Sequence, residues 1–192
     1  VRHPAQQFIS DFGPELHKIS PHFLADPRPS GGSMFRIYRD TRFSKDKTPY
    51  KTHVGIQFRH KQGKDVHAPG FYLHLEPGGC FAGVGVWHPD GAALAGIRAA
   101  IDEQPRRWKQ VSSSKRFSET FSLAGDSLKR APKGYDPDHA LIEDLKRKDF
   151  IAVANLGAGT VGSRDFLEHF STLCRSGGSL VRFLCEAVDV PY

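Results

Sequence analysis

The sequence predicts a single α+β domain, a mostly antiparallel sheet packed with helices, on three observations. Apolar residues recur at helical spacing near both ends of the chain, several short stretches between them alternate apolar with polar residues, and the links joining those stretches are short. A chain of 192 residues also lies in the range where one hydrophobic core is favoured over two.

The first element is a helix. Phe8, Phe12, Leu16, Ile19 and Phe23 follow one another at steps of four, four, three and four, the period of an amphipathic helix within 4–24, and Gly13-Pro14 is expected to kink or split it. The run 25–33 (ADPRPSGGS) is a Pro/Gly/Ser connection, after which alternation begins. Phe35 and Ile37 alternate with Met34, Arg36 and Tyr38; Val54, Ile56 and Phe58 with His53, Gly55, Gln57 and Arg59; Phe71, Leu73 and Leu75 with Tyr72, His74 and Glu76. Each stretch reads as a half-buried strand with its first-named residues inside. The run 80–87 (CFAGVGVW) continues the series after the turn Pro77-Gly78-Gly79, and Gly83 and Gly85 leave one face low in bulk.

Asp90 is placed to cap a helix carrying Leu94, Ile97 and Ile101 that stops before Pro105. Phe117 to Phe121 reads as another strand, Asp138 as the cap of a helix through Leu141, Ile142 and Leu145, and Phe150 to Ala154 as a further strand. Two helices, near 163–174 and 179–188, are expected to close the chain, divided by Gly177-Gly178. There is no internal repeat and no low-complexity tract.

No apolar run approaches the roughly 18 residues that a spanning helix needs, and the chain opens at Val1 on polar sequence without a signal pattern. A cytoplasmic protein with no membrane partner is expected. Cys80, Cys174 and Cys185 are too few and too widely spaced for a disulfide framework or a metal knuckle, so they read as free, mostly buried thiols.

The net charge of +6, from 27 basic and 21 acidic residues, fits affinity for phosphates, nucleic acid or acidic surfaces, and it fits plain solubility equally well. Its distribution says more. Between Arg36 and His53 six basic residues (Arg36, Arg39, Arg42, Lys45, Lys47, Lys51) stand against two acidic ones (Asp40, Asp46), so this stretch alone carries +4. An arginine presents a planar fork to carboxylate or phosphate oxygens, and several forks converging with Lys and Tyr donors make an anion cradle. Arg36, Arg39, Asp40, Arg42, Asp46, Lys47, Tyr50 and His53 are therefore the candidate ligand-binding residues, with the two acids orienting the cations. The strand register adds that Arg36, Tyr38, His53, Gln57, Tyr72, His74 and Glu76 lie on faces opposite the apolar residues of their strands, forming one polar patch if the strands are neighbours.

The stretch 34–53 (MFRIYRDTRFSKDKTPYKTH) resembles the signature of the domain of unknown function 2461 family, a set of mainly bacterial conserved proteins. That pattern, Arg-x-x-Arg-Asp-x-Arg-Phe, two residues, Asp-Lys-x-x-Tyr, falls on Arg36, Arg39, Asp40, Arg42, Phe43, Asp46, Lys47 and Tyr50. The resemblance extends to Pro69 through Gly79, to the helix of Arg98 and to Pro132-Lys133-Gly134-Tyr135. Such proteins have a further amino-terminal helix bearing an Asn-Asn…Glu-Trp-Phe stretch, which this sequence lacks, so a site residue carried there would not be read here. What the resemblance implies is the fold and the place of the site; it names no reaction.

His74, Glu76 and Tyr50 are the candidate catalytic residues, His74 and Glu76 as a general base and its orienting acid. No metal is expected, since no HxH, HExxH or CxxC spacing occurs and the nearby charge is positive, and no cofactor is expected either. Cys80 reads as packing. The run 155–162 (NLGAGTVG) fits G-x-G-x-x-G, but no acidic residue ends a second strand about twenty residues on. Trp87, Trp108, Tyr72 and Phe43 near basic residues have the makings of stacking platforms for single-stranded nucleic acid, although aromatics on strands are usually core.

Three functions remain open at this point. The first is binding of an anionic, phosphate- or carboxylate-bearing small molecule at the basic motif, with or without catalysis. A nucleic-acid-binding module running the same cations along a backbone is the second. The third is a structural or interaction domain in which the motif is an ion-pair network that pins the strand register.

Overall fold

The computed structural model describes residues 2–38, 47–63 and 67–192. The elements run α1 (Arg2–Ile19), β1 (Val54–Arg59), β2 (Gly70–Leu75), β3 (Cys80–Val86), α2 (Gly91–Glu103), α3 (Pro105–Ser113), α4 (Lys115–Ser118), β4 (Ser122–Ala124), α5 (Ile142–Leu145), β5 (Phe150–Leu156), α6 (Ala158–Val161) and α7 (Phe166–Ala187). The strands form one sheet in the order β1-β2-β3-β5-β4, antiparallel throughout. The α+β class inferred from alternation and helical period is the one observed.

Strand alternation sends one side of the sheet into the core. Ile56, Phe58, Phe71, Leu73, Val84, Phe150 and Ala152 are buried there against α1 and α7, where Phe12 meets Phe58 edge-on at 4.7 Å between ring centres and Phe170 at 5.0 Å. Asp90 caps α2 as expected, its carboxylate accepting the Ala93 N–H at 2.9 Å. Proline at the first position of α3 then restarts the chain as a helix, because the missing N–H would be unpaired there in any case. Trp108 on this helix is buried between Phe150 and Phe183, so it is core and not a stacking platform.

Five local expectations are corrected. α1 runs unbroken through Pro14; Ile9, Phe12 and Leu16 are buried on both sides of the proline, and that packing outweighs one lost backbone bond. α7 likewise runs straight through Gly177 and Gly178. These glycines do not break the helix but let it press on the sheet: a Cβ on Gly177 would stand 2.7 Å from Val84 Cγ1, and one on Gly178 2.5 Å from the Tyr192 hydroxyl. Residues 34–38 form only isolated bridges, Met34 to Ile56 and Tyr38 to Tyr50, and Met34 rather than Phe35 is buried. Phe117 lies in the short helix α4, with the strand beginning after Phe121. The helix expected from Asp138 shrinks to the single turn α5, which starts after Leu141.

The three cysteines are free, with Cys174 and Cys185 buried and Cys80 partly exposed. Among the described residues no helix is long and apolar enough to cross a membrane.

Candidate functional site

The face of the sheet turned away from the helices carries the polar patch. In the β1–β2 pairing Gly55 faces His74 and Val54 faces Leu75, so His53, one step before β1, falls opposite Glu76, one step after β2. Residues two apart on a strand share a face, which puts His74 and Glu76 together and His53 beside them.

Side-chain contacts tie these groups into one cluster. The Tyr72 hydroxyl lies 3.0 Å from His74 Nδ1, and His74 Nε2 lies 3.3 Å from Glu76 Oε2. The Thr52 hydroxyl donates to the other carboxylate oxygen, Oε1. A carboxylate beside Nε2 can only accept, so Nε2 carries the proton and Nδ1 accepts from the tyrosine O–H. The His74 ring is stacked from opposite sides by His53 of the β1 end, at 4.5 Å, and by Phe81 of β3, at 4.6 Å. Gly55 makes room for this: a Cβ there would stand 2.7 Å from the Tyr72 hydroxyl and 2.8 Å from the Phe35 ring.

The electrostatics follow from these contacts. Burial, then His74 and Lys51, hold the His53 imidazole below its ordinary pKa, against the opposing pull of Glu76. The Thr52 hydroxyl, followed by His74, lowers the Glu76 carboxyl. Burial pushes the Tyr72 phenol up to about 12, with Glu76 adding to the shift. One donor atom from each of His53, His74 and Glu76 falls within 4.8 Å of the other two, a set able to hold a metal ion.

Beside the cluster the open face sinks into a trough of about 510 Å³. Its floor is Gly83, Gly85, Ile151 and Val153, and its sides include Phe35, Lys51, His53, Gln57, Tyr72, Phe81 and Trp87. Two glycines on β3 create the depression. At Gly85 the backbone itself demands glycine, with φ +121° and the Phe150 carbonyl oxygen filling the place of a Cβ. Strand direction sets the long axis, from Gly85 and Trp87 at one end to Phe81 and His53 at the other. The Lys51 ammonium lies 5.4 Å from the centre of the Phe35 ring.

Of the residues expected to bind a ligand, His53 lines this trough, while Arg36, Lys47 and Tyr50 are exposed. Arg39, Asp40, Arg42 and Asp46 lie outside the described residues, as does Phe43. The Tyr38–Tyr50 bridge, with the two rings 5.5 Å apart, brings the described ends of the basic motif together, and Lys51, Thr52 and His53 lead from there directly into the cluster. Of the three catalytic candidates, His74 and Glu76 are in contact, whereas the Tyr50 ring lies tilted against Tyr38 and the tyrosine bonded to His74 is Tyr72. Sequence reasoning placed Tyr72 on the polar face and considered it as a stacking platform, but not as the partner of His74. Thr52 and Phe35 were missed as parts of the site, and only the low bulk at Gly83 and Gly85 pointed toward a depression.

A second polar group lies at the Trp87 end. Asp149, fully buried, accepts the backbone N–H of His88 and of Asp126, each at 2.8 Å, and bonds the His88 ring. Burial raises its pKa, but these bonds outweigh it and the net shift is downward. His88 has the left-handed φ of 47° and stacks on Trp87, so Asp149 is the staple that fixes this turn.

The run 155–162 crosses from the end of β5 into the one-turn helix α6. Since β5 has antiparallel neighbours on both sides, it is not the parallel strand-to-helix unit of a dinucleotide fold. No curated protein and no solved structure matches the chain. The family model described as "Conserved hypothetical protein (DUF2461)" matches residues 1–183, and the chain belongs to that family.

Proposed function

We propose that this protein binds a small organic molecule with an apolar or aromatic body and an anionic group, carboxylate or phosphate, laid along the open face of the sheet. The observation that carries this reading is the trough itself. Its volume of about 510 Å³ is that of a small-molecule site, where apolar walls and a few polar groups at one end fix a ligand's orientation. Gly83 and Gly85 let a flat body approach the strand backbone, Trp87 and Phe81 offer faces at the two ends, and Lys51 supplies a cation beside His53. The described flanks of the basic motif meet at the same end, which gives the anionic group its direction.

The test is a titration with paired ligands, a phenyl-bearing carboxylate or phosphate and its neutral amide or alcohol isostere. Trp87 is exposed and Trp108 buried, so tryptophan fluorescence reports on the trough. The anionic member of each pair is expected to quench and to bind at least tenfold more tightly. Lys51→Ala removes that preference, and Gly83→Leu, which fills the floor, abolishes both titrations. Equal binding of the neutral isostere refutes the anionic assignment, and binding that survives Gly83→Leu places the ligand elsewhere.

A further inference from the structure

We propose that His53, His74 and Glu76 form a binding site for one divalent first-row transition-metal cation. Spacing along the chain conceals this set, because the third donor arrives across the sheet. Glu76 stands two residues after His74, just past the end of β2, while His53 stands just before β1 and is brought opposite Glu76 by the β1–β2 register.

One pair of the set already stands at metal-bond spacing, and the three donor atoms lie within 4.8 Å of one another. The 3.3 Å between His74 Nε2 and Glu76 Oε2 is the ligand-to-ligand separation that bonds of about 2.0–2.1 Å make at a tetrahedral angle. A His–Glu hydrogen bond explains that pair equally well, but it leaves the ring nitrogens of His53 unused. Neither ring nitrogen of His53 has a hydrogen bond among the described residues, yet the ring is half-buried and stacked on His74.

The atoms not needed for the metal are already held. Tyr72 holds Nδ1 of His74 and Thr52 holds Oε1 of Glu76, the outer-shell arrangement that orients ligands in metal sites. The stacking by His53 and Phe81 fixes the His74 ring as well. Two imidazoles with one carboxylate favour Zn²⁺, Co²⁺ or Fe²⁺ over Mg²⁺ or Ca²⁺, which take oxygen ligands. Three protein ligands leave a coordination position for water or ligand, and His53 lines the trough. On loading, the metal takes the place of the proton on Nε2 and the imidazole carries a proton on Nδ1 instead, so the Tyr72 oxygen turns from donor to acceptor and its own O–H points away from the ring.

The experiment uses untagged protein treated with chelator and titrated with Co²⁺, with Zn²⁺ and Mg²⁺ as competitors. One equivalent of Co²⁺ is expected to bind with visible d–d absorption, to be displaced by Zn²⁺ and to be unaffected by millimolar Mg²⁺. His53→Ala and Glu76→Gln each weaken binding at least tenfold. Thr52→Val, which only releases the carboxylate, weakens it without changing the stoichiometry. The His67→Ala/His88→Ala double variant, at the far end of the trough, leaves it intact. In ¹⁵N spectra of the Zn²⁺ form the His74 proton is expected on Nδ1. His53 and Glu76 flank the strands rather than lie within them, and if either variant loses its far-UV circular dichroism the other decides. Absence of Co²⁺ binding at micromolar protein, or equal affinity in a folded His53→Ala or Glu76→Gln protein, overturns the proposal; equal competition by Mg²⁺ overturns the metal class.

Discussion

The Tyr72 hydroxyl stands 3.0 Å from Nδ1 of His74 while its ring lies over Gly55, so one aromatic side chain both covers β1 and orients an imidazole of β2. With its pKa pushed up to about 12 by burial, Tyr72 stays a phenol, able to donate, throughout the neutral and mildly alkaline range. Tyr72→Phe is expected to keep the fold, to lower stability by about 1 kcal/mol for one partly buried neutral hydrogen bond, and to remove one of the late steps in a spectrophotometric tyrosine titration. A titration curve unchanged by the substitution would refute the assignment.

Gly55→Ala tests the same relationship from the other strand. The new methyl would meet the tyrosine hydroxyl at 2.7 Å, the movable end of a side chain, so the backbone is expected to hold and Tyr72 to swing off His74. Thermal stability should fall by no more than roughly 1–2 kcal/mol, while the His74 tautomer becomes mixed in ¹⁵N spectra. A single unshifted His74 tautomer in the variant would count against the coupling.

Asp149 and His60 give acid sensitivity in two separate windows. Asp149 has a lowered folded pKa, so its contribution is present above the unfolded value near 3.9 and is lost as pH falls through the folded one. Asp149→Asn sets an amide N–H against one of the two backbone donors, and a loss of roughly 2–4 kcal/mol is expected. Urea midpoints at pH 7 measure it, and a shift under about 0.5 kcal/mol would remove Asp149 as a staple.

His60 works at higher pH. It is buried, accepts the Gln62 N–H on Nδ1 at 3.1 Å and faces the Pro191 carbonyl with Nε2 at 2.8 Å. Burial lowers its pKa, against the pull of that carbonyl, with His22 and Lys61 adding to the drop. The unfolded chain therefore binds the proton first, and stability present above about pH 6.5 declines as pH falls below it. His60→Leu should flatten part of the fall in urea midpoint between pH 7 and pH 5; an unchanged slope would exclude His60 as its source.

Gly177→Ala sets two effects against each other. Alanine improves helix propensity by about 1 kcal/mol, but its methyl meets both Val84 γ-carbons at 2.7 and 2.9 Å, and overpacking a stiff β-branched neighbour costs about 1–3 kcal/mol. Net destabilisation is expected, with Val84→Ala restoring stability in the double variant relative to the sum of the two single changes. Additive effects of the two substitutions would contradict the contact.

What could be read from the residues was periodicity, and it carried the class, the antiparallel meander and the faces of β1 and β2, including His53, Tyr72, His74 and Glu76 on one side. It failed where a residue's role depends on what comes from elsewhere in the chain. Gly177-Gly178 reads locally as a break, and only Val84 opposite it shows why small residues are needed. Phe35 and Met34 exchanged faces because that segment pairs with β1 through a single bridge, which leaves its register to the core pocket that accepts Met34. The site shows the same division. Arg36, Lys47 and Tyr50 were conspicuous by composition and are exposed, whereas the cluster depends on the partner that each strand position meets, which no motif spacing contains.

The place of β5 has a consequence for how the chain reaches this fold. β1, β2 and β3 are consecutive in the chain and pair in that order, but β3 meets its other neighbour only when Val86 finds Phe150, after residues 87–149 have doubled back. Until then the glycine-rich edge of β3 is unpaired and the trough has only one wall. Long-range closure of this kind slows folding, so pulse-labelled amides of β1 and β2 should gain protection before those of β4 and β5. The trough would thus be the last part of the sheet to exist, completed by the same pairing that seals the core behind it.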